Sequence, residues 1–251
     1  MLATVTGAIQ QALSSPSLLR RHIPVAKRPF FALDLALIAL GCRCAWLVDV
    51  TVVQDAEQVY ADFLRFLCQG HGAIFENVRH IYEASSQQSF FFNTQLCREL
   101  VRSISDDTAY VRFVFLKQHG EPELLKHPPP DVLSALLTLS ETQELPPSLA
   151  QHTLIPLAGV LLGYPVAYVP DSISESSTFL AQVPLDVYTC HARSPSWTSP
   201  HTFLKFSCPA VLVDREQIVA SLMVRFEPRL DELGIRLDVA YSREVMDRVA
   251  L

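Results

Sequence analysis

The sequence predicts an α/β fold, a single three-layer domain over residues 1–251. A mixed sheet with an antiparallel C-terminal part would carry helices on both faces. Three observations lead there. Apolar residues make up 49% of the chain and charged residues 18%, which excludes global disorder and suits elements buried on more than one face. Short apolar runs alternate with capped segments of helical period before Pro184. After Pro184 the pattern turns to period-2 alternation, the sign of half-exposed strands.

Helical periodicity opens the chain, with Leu2, Val5, Ile9 and Leu13 on one face, and Pro16 limits the first helix. A second apolar helix is expected over Phe31–Leu40, ended by Gly41 as a left-handed cap. Cys44 to Val50 reads as a strand buried on both faces. Asp55 with Gln58 is a capping-box pattern before a helix that carries Val59, Phe63, Phe66 and Leu67 and ends near Gly70. Strand, loop and capped helix make the first half of a βαβ unit. His80–Glu83 and Phe90–Phe92 flank the polar tip Ser85–Ser89 as a hairpin, and Asn93 caps a helix through Leu100 and Val101.

A second buried strand is expected over Ala109–Leu116. The His119-Gly-Glu-Pro and Pro128-Pro-Pro130 stretches are surface connections, and a weak boundary could fall near 119–130. Asp131 caps a helix through Val132, Leu133, Leu136 and Leu137. The next helix spans about Ser148–Leu162, kinks at Pro156 and stops at Gly163. The strand Val166–Val169 and a polar loop, Asp171–Thr178, follow. In Phe179–Cys190, Leu185, Val187 and Thr189 alternate with Asp186 and Tyr188, and Pro184 favours an edge position. Phe203–Cys208 is the partner strand. Asp214 with Gln217 repeats the capping box before a helix with Ile218, Leu222 and Phe226 on one face. Leu237, Val239 and Tyr241 alternate in the last strand.

A net charge of −6 and the absence of a basic stripe argue against nucleic-acid binding. The uncharged stretch between Glu144 and Asp171 is broken by five prolines and two glycines, so it is buried core and not a membrane span. The six cysteines follow no signal-peptide pattern and several lie in apolar runs, as reduced core thiols do. A cytoplasmic setting is therefore expected. The acid-free residues 1–33, Ser-rich and carrying Arg20 and Arg21, leave a mitochondrial transit peptide as the alternative.

The segment Leu161-Leu-Gly-Tyr-Pro-Val-Ala-Tyr168, with the run Trp46-Leu-Val-Asp49, resembles the vertebrate protein family named only as human chromosome 1 open reading frame 74. The C-terminal apolar helix with its short strand and tail is similar as well. That resemblance implies an intracellular eukaryotic protein and transfers no catalytic residues.

Asp49, at the carboxyl end of a buried strand, occupies the position where open α/β sheets bind ligands. The competing reading is a carboxylate bonded to the amides of its own turn. Asn93 and Tyr164 complete this candidate ligand crevice. Cys68-Gln-Gly-His71 could be half a zinc site, but no second pair follows, and Cys42 and Cys44 are too close for the common spacing, so no metal is expected. Cys190 and His191 are adjacent on a strand and point to opposite faces, leaving only a distant His152 or His201 to activate a thiolate. No nucleophile elbow or phosphate-binding glycine loop occurs, glycines number eight, and no cofactor is expected. Trp197 stands in a Ser/Pro loop where no core period calls for an indole, and such aromatics anchor partners. The alternative is an indole folded back over the core edge.

Two functions stay open. The leading one is a protein-interaction or scaffold module with an unidentified protein partner, a homodimer included. The Val245–Leu251 tail is a second surface for packing in trans. The other is an enzyme or small-ligand binder using the crevice at Asp49, Asn93 and Tyr164.

Overall fold

The computed structural model describes residues 1–14, 19–51, 53–106, 110–117, 121–171, 180 and 182–245. They form two compact units, Met1–Val101 with Thr138–Pro146 and Arg102–Leu137 with Pro147–Leu251. Helices and strands are interspersed along the chain, so the class is α/β. The described strands pair in three three-stranded sheets, where one mixed sheet was expected.

In the first unit α1 (Leu2–Ser14), α2 (Leu19–His22) and α3 (Arg28–Ala39) precede β1 (Ala45–Leu47) and α4 (Ala56–Phe75), and β2 (Val78–Glu83) and β3 (Gln88–Asn93) lead into α5 (Thr94–Ser105). Val5, Ile9 and Leu13 of α1 belong to the core, as their spacing predicts. Phe31 sits at the middle of that core. Its ring meets Trp46 at 5.1 Å, Phe63 at 5.9 Å and Phe91 at 6.0 Å edge-on, and stacks on Tyr60 at 6.5 Å. Gly41 takes φ +72° after α3, the left-handed cap expected.

Two expectations are corrected here. Asp55 has φ +52° and its carboxylate makes no capping bond, because a left-handed residue points its side chain away from the first-turn amides. The helix it precedes breaks at His71 (φ −144°, ψ 42°), directly after Gly70 where an end was expected, and a further helical stretch runs on to Phe75. The βαβ reading of this region is altered in one respect. β1 and β2 run the same way, but β3 lies between them, antiparallel to both, in the order β1-β3-β2. The β2–β3 hairpin is as expected. Its tip is closed by Glu83, whose carboxylate accepts from the backbone amides of Ser85 (3.0 Å) and Ser86 (2.6 Å). Burial works against that charge, but the bonds from Ser86 and Ser85 outweigh it and hold the carboxyl below its usual range.

In the second unit β4 (Arg112–Leu116) and β5 (Glu123–Leu124) are followed by α6 (Pro130–Thr142), whose residues from Thr138 on belong to the first unit, α7 (Gln151–Leu162) and β6 (Val166–Pro170). β7 (Pro184–Arg193), β8 (His201–Pro209), α8 (Arg215–Asp231) and β9 (Arg236–Val245) complete it. β4 and β6 are parallel neighbours joined through α6 and α7, which is where the chain makes its βαβ crossover. Asp131 lies inside the first turn of α6, not at its cap, and accepts a hydrogen bond from the Thr153 hydroxyl near the start of α7. Asp214 does cap α8, accepting from Glu216 N at 2.8 Å. Gln217 does not close the box. Its amide oxygen accepts from Arg112 at 2.7 Å instead.

The last three strands form an antiparallel sheet in the order β8-β7-β9, so β7 is central. Its alternation suggested one wet face, yet Leu185, Asp186, Val187 and Tyr188 are all buried. Pro184 is tolerated as the first residue of the strand, not as an edge residue. Pro16, Ala109, residues 172–179 of the polar loop and its exit, and the tail from Met246 lie outside the described residues.

Candidate functional site

The sheet β8-β7-β9 places one acid where two strands and a helix end converge. Asp186 lies on β7 opposite Arg243 of β9. The Arg243 guanidinium grips both carboxylate oxygens, Nε to Oδ1 at 2.8 Å and Nη2 to Oδ2 at 3.1 Å. Arg215, the first residue of α8, approaches Oδ1 at 3.5 Å. The bond from Arg243 is the main cause that holds the Asp186 carboxyl below its usual range, and it raises Arg243 in turn. Arg215 also lies over the Tyr241 ring, its central carbon 3.9 Å from the centroid, so an exposed aromatic of β9 is fixed to the helix start.

Tyr188 is two residues on from Asp186 and shares its face. Its ring stacks on Phe206 of β8 at 5.1 Å and 8°, and meets Tyr241 at 6.3 Å. Burial first, then the neighbouring Cys208 and Asp186, push its ionisation up. The Cys208 thiol is raised to about 11, again by burial and then by the Asp186 charge. A thiol so placed stays protonated near neutrality and is not a ready nucleophile. The cluster therefore holds β9 to the sheet and supplies no activated group.

Of the residues expected to line a ligand crevice, Asp49 and Asn93 belong to the first unit and Tyr164 to the second. Asp49 is exposed just beyond β1 in the first unit. Asn93, in the same unit, is buried and engaged at both ends of its amide. Its Nδ2 donates to Ile38 O at 3.0 Å, and its Oδ1 accepts from Gln95 N and Leu96 N at 3.1 Å each, capping α5 as the sequence predicts. Tyr164 belongs to the second unit, half-buried and stacked on Phe206 at 5.7 Å. Trp197 is half-buried in the β7–β8 loop, where its amide donates to Ser194 O at 3.0 Å. It is neither fully exposed nor folded into the core. His152 lies 3.4 Å from Asp131, a partner the sequence did not suggest. Among the described residues no three His, Cys, Asp or Glu side chains group as metal ligands. No described helix is long and apolar enough to cross a membrane.

Gly163-Tyr164-Pro165, within the segment Leu161–Tyr168, joins the end of α7 to β6. Gly163 has φ +88°, and the amides of Gly163 and Tyr164 close α7 onto Val160 O and Gly159 O. Arg225 of α8 donates to Gly163 O at 2.9 Å, and a Cβ on Gly163 would lie 3.0 Å from its guanidinium. Gly163→Ala is expected to cost about 1–2 kcal/mol through backbone strain and the displaced arginine. Gly7→Ala, within α1 and with nothing near its Cβ position, is expected to be neutral or stabilising. Urea denaturation of both variants checks the contrast, and equal effects would contradict it.

A cleft of about 240 Å³ in the second unit has Ile104, Val111 and Phe113 among its apolar lining, with Arg112, Lys126 and His127 also at its wall. Sequence reading missed both this cleft and the Asp186 cluster. A lone acid between apolar strand residues was the available signal for Asp186, but its partners lie 29 and 57 residues away. Only the strand register brings them together.

No curated protein and no solved structure matches the chain. A family model described as Domain of unknown function (DUF4504) matches residues 20–245. With nearly its whole length so covered, the chain belongs to the DUF4504 family, whose function is uncharacterised.

Proposed function

We propose that this chain is a protein-interaction module and that its binding surface is the outer edge of the C-terminal sheet. One observation carries the reading. β9 is ten residues long, pairs with β7 without a register break, and on its other side meets no strand among the described residues. Edge strands in proteins that stay apart are shortened, bulged or interrupted by proline or lysine. β9 is not short, bulged or interrupted by proline or lysine; it does carry four charged side chains, of which Asp238 and Arg243 are paired within the chain, and Tyr241 is 49% exposed on it. The opposite edge, β8, has an extra residue at Phe203, an exposed Lys205 and a terminal Pro209. One edge is blocked and the other left open, which fits recognition by strand addition.

The β7–β8 loop leaves β7 at Arg193, the register partner of Arg236 at the start of β9. Trp197 is therefore at the same end of the sheet as the first residues of β9, and serves as a second anchor. The free cysteines, five of six buried, support a reducing, cytoplasmic setting. We place the chain with the family named human chromosome 1 open reading frame 74 on the strength of its Gly163-Tyr164-Pro165 element.

The test compares what co-purifies from a eukaryotic host with the wild type, Ala240→Lys and Trp197→Ala. Ala240 is exposed in the middle of β9, so a lysine there blocks the edge without touching the core. A bound protein retained by wild type, lost from Ala240→Lys and reduced for Trp197→Ala supports the reading. Equal recovery from all three would refute it.

The cleft lined by Arg112, Lys126 and His127 favours a second reading, the binding of a small anionic ligand with an apolar body. That reading predicts thermal stabilisation by short-chain carboxylates that Arg112→Ala removes.

A further inference from the structure

We infer that the partner of β9 is the β9 of a second copy of this chain, paired antiparallel about a two-fold axis that passes midway between the two Ala240 residues. The inference rests on reading β9 as the binding edge and adds what occupies it. Two copies of a strand related by an axis perpendicular to the sheet pair in only certain ways. Some residue faces its own copy, and each residue before it faces the one equally far beyond it, since facing side chains must share a face.

Centring the strand on Ala240 brings together complementary groups. Arg236 faces the partner's Glu244, and the two-fold repeats this ion pair at the other end. Val239 faces the partner's Tyr241, an aliphatic–aromatic pair of the kind that stabilises adjacent strands. Ala240, the smallest side chain of β9, occupies the crowded position beside the axis. A shift to Tyr241 would set Asp238 against the partner's Glu244 twice, a like-charge arrangement. A shift to Val239 would set Arg236 against the partner's Ser242 and bring Glu244 beyond the partner's strand, against Gly234. The ion pair is lost in both.

The groups needed are also available. Arg236 is exposed and Glu244 half-exposed, and neither makes an ion pair among the described residues, although Glu244 accepts a hydrogen bond from the Ser242 hydroxyl at 2.8 Å. Asp238 is already bonded to Arg193 at 3.0 Å, and Arg243 to Asp186, so these charges are committed within the chain. Pairing joins the two β8-β7-β9 sheets into one of six strands whose outer edges are both the blocked β8.

The charge-swap experiment uses the full chain in sedimentation equilibrium. The wild type is expected to dimerise. Glu244→Arg puts two arginines together at both ends of the ladder and is expected to weaken the dimer roughly tenfold or more. Arg236→Glu with Glu244→Arg restores opposite charges in reverse and is expected to bring the affinity back near wild type. Circular dichroism should be unchanged in both, since these side chains lie outside the core. A monomeric wild type, a dimer indifferent to Glu244→Arg, or a weakened dimer that the double variant does not restore would each overturn the inference. A monomer that still binds a different protein in an Ala240→Lys-sensitive way would overturn self-pairing alone and leave the interaction reading in place.

Discussion

Phe31→Ala is expected to destabilise the first unit by about 4 kcal/mol, the cost of removing a fully buried phenyl ring from a close-packed core. Trp46, Tyr60, Phe63 and Phe91 all lose their common contact at once. Backbone on two sides limits collapse, because Trp46 and Phe91 are cross-strand partners on β1 and β3 while Tyr60 and Phe63 belong to α4. A cavity bounded by such elements relaxes only in part. With total stabilities of typical domains at about 5–15 kcal/mol, this single change approaches the threshold of unfolding. Urea titration followed by fluorescence reads it directly, since Trp46 is the ring nearest to Phe31 among those it touches. The neighbouring Phe30→Ala is the control. Phe30 is 46% exposed, and its loss should cost about 1 kcal/mol or less. Similar losses from both variants would mean that the core is not centred on Phe31.

Asp186→Ala is expected to cost the second unit about 3 kcal/mol. The carboxylate is only 2% exposed and serves two guanidiniums, so its removal leaves cationic groups facing an apolar space. The figure sits at the low end for a broken buried pair for a stated reason. Arg215 is 35% and Arg243 54% exposed, and both can turn part of their charge to water. Asp186→Asn retains the shape and one acceptor and should cost less. The same carboxylate sets an acid limit. Its folded pKa is depressed, so its contribution is complete above the unfolded value of about 3.9 and is lost as pH falls further toward the folded value. As pH falls from about 4 toward 2, urea titrations should show stability falling in wild type more steeply than in Asp186→Asn. Parallel pH profiles would remove Asp186 from that role. Arg243 is also the strand-to-strand link of β9, so the variant should increase amide exchange along β9 before it affects β8.

How much of this was legible in the sequence follows from how local each signal is. Gly41 and Gly163 cap their helices, Asn93 and Asp214 accept from first-turn amides, and Ile218, Leu222 and Phe226 face inward. Each of those outcomes is decided within a few residues. Asp55 shows the limit of that logic, because its pattern was right and its backbone conformation was not. Strand pairing was legible only between neighbours joined by a short connection, as in β2–β3 and β7–β8. The sequence order β1, α4, β2 is the same whether β3 inserts between the strands or not, and only three-dimensional packing decides it. The burial of β7 was misread for a related reason. An Asp and a Tyr alternating with aliphatics signal a wet face, unless two arginines and a stacked phenylalanine arrive from elsewhere to cover them. Of the candidate site residues, Asn93 was legible as a cap. Asp49, Tyr164 and Trp197 were singled out by type and local setting, and their neighbours depend on long-range contacts that no local pattern encodes.

Photo-crosslinking from the middle of β9 tests the interaction edge most directly. A photoreactive amino acid at Ala240 in the full chain, expressed in eukaryotic cells, should yield a discrete cross-linked protein species on illumination. The same group at Val224, exposed on α8, should not. The account predicts a product at twice the mass of the chain, the second copy. A product with another protein would keep the edge and change its occupant. No product from Ala240, or equal products from both positions, would contradict the claim that β9 is a binding edge.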